Sequence, residues 1–141
     1  MVSEEILAAF RSLGDLTGTV SDVLDQLGLV GAVPAAVLKP SDPAARIAGR
    51  ALTVLNRPRR ETVPEAVATK RSGLGEIQAH RLAKPGDVVL ADECGVCFVP
   101  AAKAAEVAAI ARRWSAWEEE RLRKLADGLP LDEFVRLKRP E

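Results

Sequence analysis

The sequence predicts an α/β domain with helices at its N-terminus, strands in its middle and a long helix near its C-terminus. Three stretches carry that reading. Residues 3 to 27 hold two amphipathic helical stripes separated by Gly14-Asp15. Pro85 to Val107 reads as strand, acidic turn, strand and the start of a helix. Ala101 to Ala126 is an Ala-rich run with apolar residues at helical spacing.

Ser3 to Leu13 is the first expected helix. Ser3 suits an N-cap, Glu4 and Glu5 suit the positive helix end, and Ile6, Leu7 and Phe10 share a face. Gly14-Asp15 is read as its close. Thr17 to Leu27 is the second helix, with Val20, Leu24 and Leu27 on one stripe and Gly28 as its stop. Gly31 to Pro43 contains three prolines and predicts a connection with at most a short strand at Ala35–Leu38. Alternation after Arg46 predicts a strand from about Ile47 to Leu55. Thr62 to Lys70 and Leu74 to Leu82 read as helical, broken by Arg71-Ser72-Gly73.

Pro85-Gly86-Asp87 is a turn, Val88–Ala91 an apolar strand, Asp92–Gly95 a second turn and Val96–Val99 a second strand. Pro100 stops pairing, and the long helix carries Val107, Ile110, Trp114, Trp117, Leu122 and Leu125. Trp114 and Trp117, three apart, are expected to seal a core or a subunit contact rather than hold a ligand. Glu118 to Glu120 with Arg121, Arg123 and Lys124 reads as a solvated, ion-paired face. Gly128 ends the helix, and Asp132–Leu137 suggests a last turn.

At 141 residues the chain is one domain, long enough to bury a core. Its 20 acidic and 20 basic side chains balance, which argues against a field that gathers nucleic acid or an anionic membrane. No run reaches the ~20 apolar residues of a membrane span. MVSEEILAAF lacks the plan of a signal peptide, and two cysteines make no disulfide framework, so a cytoplasmic protein is expected.

Four groups bear on chemistry. The loop with Arg57, Arg59 and Arg60 is either solvated or a carboxylate-binding fork; no aromatic platform accompanies it, which disfavours nucleic acid. Cys94-Gly95-Val96-Cys97 resembles a redox pair, but it sits in a turn and strand beside Asp92 and Glu93, so buried or half-buried structural cysteines are expected. Zinc would need further ligands, pooled from symmetric subunits, because His80 is the one histidine. His80 itself lies among polar neighbours and reads as a surface residue before a catalytic one. Asp87 fits a turn carboxylate that satisfies backbone amides. Asp92 and Glu93 divide evenly between that role and binding a divalent cation.

Several matches taken together resemble the RraA-like family. They are Thr17-x-x-Val20-Ser21-Asp22-x-Leu24-x-x-Leu27-Gly28, Gly49-x-Ala51-x-Thr53-Val54, Lys84-Pro85-Gly86-Asp87-Val88-Val89, and Ala91-Asp92-Glu93-x-Gly95-Val96-x-Phe98-Val99-Pro100. They span about residues 5 to 110 of a single domain covering 1–141, with a C-terminal helical extension over about 101–137. The family includes the regulator of ribonuclease E activity A and metal-dependent 4-hydroxy-4-methyl-2-oxoglutarate aldolases that also decarboxylate oxaloacetate. The resemblance implies a swivelling α/β/β sandwich, here in reduced form. It also implies a homo-oligomer, a trimer or dimer of trimers, with sites between subunits, or a hetero-oligomer with a full-length relative.

The chain departs from the family pattern at its centre. Members carry the PGDV strand twice, and this sequence carries it once, as though the first copy's lead-in joined the second copy's exit. The intervening segment, with a glycine-rich loop and an Arg-Asp motif for substrate carboxylate and magnesium, has no counterpart. No Arg-Asp dipeptide occurs, and the one Asp-Gly, Asp127-Gly128, closes a helix. Family chemistry uses a divalent ion to polarise a 2-oxo group and an arginine to hold the acid.

Three functions follow as expectations. The first is a catalytically impaired structural, regulatory or partner-completed subunit. The second is an active lyase (class II, on small 2-oxo acids) with Asp92 and Glu93 catalytic, Asp92 holding magnesium or another divalent metal, and Arg57, Arg59 and Arg60 binding substrate. The third is a ribonuclease inhibitor acting by protein–protein contact.

Overall fold

The computed structural model describes residues 1–38, 40–52 and 83–140. The expected helices at Thr62–Lys70 and Leu74–Leu82, the Arg57, Arg59 and Arg60 loop, His80 and the end of the strand expected to reach Leu55 lie outside the described residues. Within them, two helices precede a four-stranded antiparallel sheet and two helices follow it, consistent with a coarse α/β class.

Helix α1 spans Glu4–Arg11, and Ser3 caps it by accepting from the Ile6 N–H. Helix α2 spans Leu16–Gln26. Here Asp15 opens α2 rather than closing α1: its carboxylate accepts from the Gly18 N–H at 3.0 Å, satisfying a donor that the first turn leaves orphaned. Gly28, at φ +64°, ends α2, and the Leu29 N–H returns to the Leu24 carbonyl.

The sheet holds β1 (Ala32–Pro34), β2 (Ile47–Arg50), β3 (Val88–Asp92) and β4 (Gly95–Val99), in the order β1-β4-β3-β2. The first strand falls earlier than the expected Ala35–Leu38, where the chain instead turns back on Pro34. Long-range pairing decides this. Gly31 comes so near β4 that a Cβ there would lie 2.2 Å from the Phe98 carbonyl oxygen, Pro34 pairs with Gly95, and the Ala35 N–H donates to the Cys94 carbonyl at 3.0 Å. Strand β2 starts at the expected Ile47, and beyond Arg50 Ala51 continues the pairing through the Asp87 carbonyl and the Gly86 N–H.

Strands β3 and β4 form the expected hairpin, with Glu93-Cys94 as its tip and Asp92 opposite Gly95. Helix α3 follows at Ala104–Ala126, after a turn at 101–103 that Pro100 starts, and a short α4 spans Leu131–Phe134.

The strand register sends Val88, Leu90, Asp92, Cys97 and Val99 to one face, and the three long helices cover it. Phe10, Leu16, Val20, Val23 and Leu24 from the N-terminal helices meet Val107, Ala111 and Trp114 of α3 over those strands. Each large side chain buried this way contributes about 1.5–3 kcal/mol relative to exposure. No helix among the described residues is long and apolar enough to cross a membrane.

Candidate functional site

The acidic turn of the hairpin lies against the N-terminus of α2, and this junction is the most polar place in the described core. Asp92, last in β3, points into the helical face and is buried. One carboxylate oxygen accepts from the Thr17 N–H at 3.0 Å. The other accepts from the Thr17 hydroxyl in a short contact and from the Cys94 N–H at 2.9 Å. A strand-end acid is thereby bonded to an early N–H of α2 while closing its own turn. The positive end of a helix favours a carboxylate in that place.

Burial pushes the Asp92 carboxyl up, but the Thr17 hydroxyl, the Thr17 and Cys94 N–H groups and the Arg46 charge outweigh it and hold the carboxyl below the usual range. Arg46 is itself anchored, donating to the Gly14 and Leu13 carbonyls at the end of the α1 segment.

Glu93, at the turn's tip, is exposed. Cys94 beside it is also exposed, against the expectation that both cysteines would be at least half-buried, whereas Cys97 is buried and its thiol donates to the Thr17 carbonyl at 3.5 Å. The split follows from geometry: Cys94 is a loop residue and Cys97 belongs to the covered face of β4. Desolvation and the Asp92, Glu93 and Asp15 carboxylates raise the Cys94 thiol. Burial first, then Asp92, Asp15 and Asp25, pushes Cys97 up to about 12. Neither sulfur is a ready thiolate near neutral pH, so the CxxC lacks the chemistry of a nucleophilic redox pair.

Thr17, Gly18, Ser21, Ala32–Pro34 and Cys94–Cys97 border a shallow depression of about 180 Å³ beside this junction. A Cβ at Gly18 would lie 2.1 Å from an Asp15 carboxylate oxygen, so a side chain there would have to push the capping carboxylate aside. Among the described residues no three His, Cys, Asp or Glu side chains gather as a metal's ligand set.

Asp87 stands at the other end of β3. It accepts from the Lys84 N–H at 2.7 Å and the Ala101 N–H at 2.8 Å, the amide-satisfying role expected of it. The sequence-predicted site residues are therefore brought together only in part. Asp92 and Glu93 share a turn but face opposite environments, one buried and one exposed. Arg57, Arg59 and Arg60 lie outside the described residues. Thr17, Asp15 and Arg46 supply most of the junction's polar contacts, and sequence reasoning gave none of them a part in the site. An Asp three residues before Gly18, with an apolar residue next, was the available signal for the cap.

No protein-family model matches the chain, and no solved structure matches it.

Proposed function

We propose that this chain is a reduced RraA-like protein, an α/β/β sandwich in shortened form, that does not catalyse alone and serves as a structural, regulatory or partner-completed subunit. The observation that supports this reading is the state of Asp92. Its two oxygens serve Thr17 and Cys94, so a cation bound there would have to displace bonds that hold α2 on the hairpin. The acid that the resemblance leaves nearest to metal chemistry thus acts as a joint of the fold. The wider expectations belong to the same reading: a homo-oligomer or a complex with a full-length relative, cytoplasmic residence and no direct contact with nucleic acid.

A second reading, the active magnesium-dependent oxo-acid lyase, draws support from exposed Glu93 on that turn, which is placed to meet a hydrated ion. Pyruvate release from oxaloacetate separates the two. Under the subunit reading, the chain with magnesium gives no rate above the metal-only background, and turnover appears only when a full-length relative is added. Magnesium-dependent turnover by the chain alone, abolished in Glu93→Gln, would establish the lyase instead.

A further inference from the structure

The C-terminal segment is attached by a few contacts rather than by burial. After α3 ends at Ala126, no residue from 127 to 140 is buried, and Leu131 and Val135 are 66% and 68% exposed. Two arginine–aromatic stacks hold the segment. In the first, Arg121 lies between the Trp117 ring of α3 and the Phe134 ring of α4, at 4.7 and 4.3 Å. Its Nε is buried there with no acceptor among the described residues, a cost that the closed arrangement carries. In the second, Arg139 sits over the Trp114 ring at 4.4 Å, and the Trp114 Nε1–H donates to the Pro140 carbonyl at 3.0 Å. Arg139 also pairs with Asp22 of α2 at 2.7 Å, across 117 positions of sequence. The other ion pairs among the described residues join positions at most 7 apart.

We infer that residues 129–140 form a strap that opens as a unit from Trp114 while the body stays folded, with the Asp22–Arg139 pair as its ionic latch. Three features make the closed state shallow. Ordering the segment costs conformational entropy, and none of its residues is buried in return. The latch is solvated, 41% exposed at Arg139 and 51% at Asp22, so salt reaches it. Gly128, where the strap departs, is left-handed at φ +98° and has nothing within 4 Å of where a Cβ would stand. Trp114 itself belongs to the core cluster, so its inner side stays packed when the strap leaves. Opening frees the indole N–H and one ring face beside the Asp22 carboxylate. Ionic strength thereby sets how much of the α2–α3 junction is presented, with the sheet unchanged. Segments this lightly held open locally, well below the free energy of global unfolding. The strap rests on the C-terminal contacts alone and is independent of the oxo-acid reading.

Hydrogen exchange on the full chain, followed by nuclear magnetic resonance, tests it through two probes: the Trp114 indole N–H under the strap and the Leu90 amide in the sheet. The indole should be protected relative to a free indole, but less than Leu90 is relative to a free amide. Asp22→Asn should speed indole exchange about threefold, and Arg139→Gln, which removes the stack as well as the pair, about tenfold. About 1 M sodium chloride should act on the wild type as Asp22→Asn does and add little to that variant, because both remove the same attraction. Leu90 should exchange at its wild-type rate throughout. An indole protected as strongly as Leu90, or one that neither substitution speeds, would mean that it opens only with the whole molecule and would overturn the strap. So would an indole with no protection in the wild type, or substitutions that speed both probes alike.

Discussion

Asp92 concentrates long-range order in one side chain, since its bonds to Thr17 span 75 positions of sequence. Asp92→Ala leaves the Thr17 and Cys94 donors without their acceptor, and urea unfolding should show a loss of about 3 kcal/mol. The acid dependence has a definite sign. The native carboxyl titrates below its unfolded value of about 3.9. Its contribution is therefore complete above that value and lost as pH falls through the native one. The stability gap between wild type and Asp92→Asn should accordingly be widest near neutrality and narrow below about pH 4. The two thiols should separate as cleanly. A disulfide reagent should label Cys94 in the native protein, slowly because its thiol is held up, and reach Cys97 only after unfolding. Equal native labelling of both would contradict the burial of Cys97. That an acid would occupy this turn was legible from Asp92-Glu93. That Asp92 would serve backbone and hydroxyl donors of α2 was not, because the partner is distant in sequence and the strand's pleat decides which acid turns inward.

The elements whose signals are local were the most legible. Ser3, Gly28 and Gly128 bound their helices as capping chemistry requires, and the β3–β4 hairpin falls where its turn residues place it. Strand β1 was misplaced because three residues pair only through contact with β4, which no local pattern encodes. The same contact makes glycines unequal. Gly95, at φ +149°, would bring a Cβ within 2.3 Å of the Val33 carbonyl oxygen, whereas Gly28 is left-handed but opens on empty space. Gly95→Ala should therefore cost about 3 kcal/mol and Gly28→Ala only about 1 kcal/mol, as thermal or urea unfolding would read them. Similar losses at the two positions would mean that β1 does not press on the hairpin as described.

At the scale of the molecule, β3 is fixed at both ends by buried acids: Asp87 bonds to the start of the α3 segment and Asp92 to the start of α2. The surface pairs on α3, Arg121 with Glu118 and Lys124 with Glu120, add little beside these. Raising salt should leave stability nearly unchanged, and a midpoint shift as large as that of Asp92→Ala would show that the exposed pairs matter more than their solvation suggests. The arrangement also sets an order of events during synthesis. Helices α1 and α2 leave the ribosome with an apolar stripe and a threonine whose acceptor lies 75 residues downstream. Helices of 8 and 11 residues are marginal alone, so the N-terminal third has no sheet to settle on until β3 and β4 emerge. Vectorial folding gains this chain little. Its structure should form late and in one step, once the strands that the first two helices pack on are available.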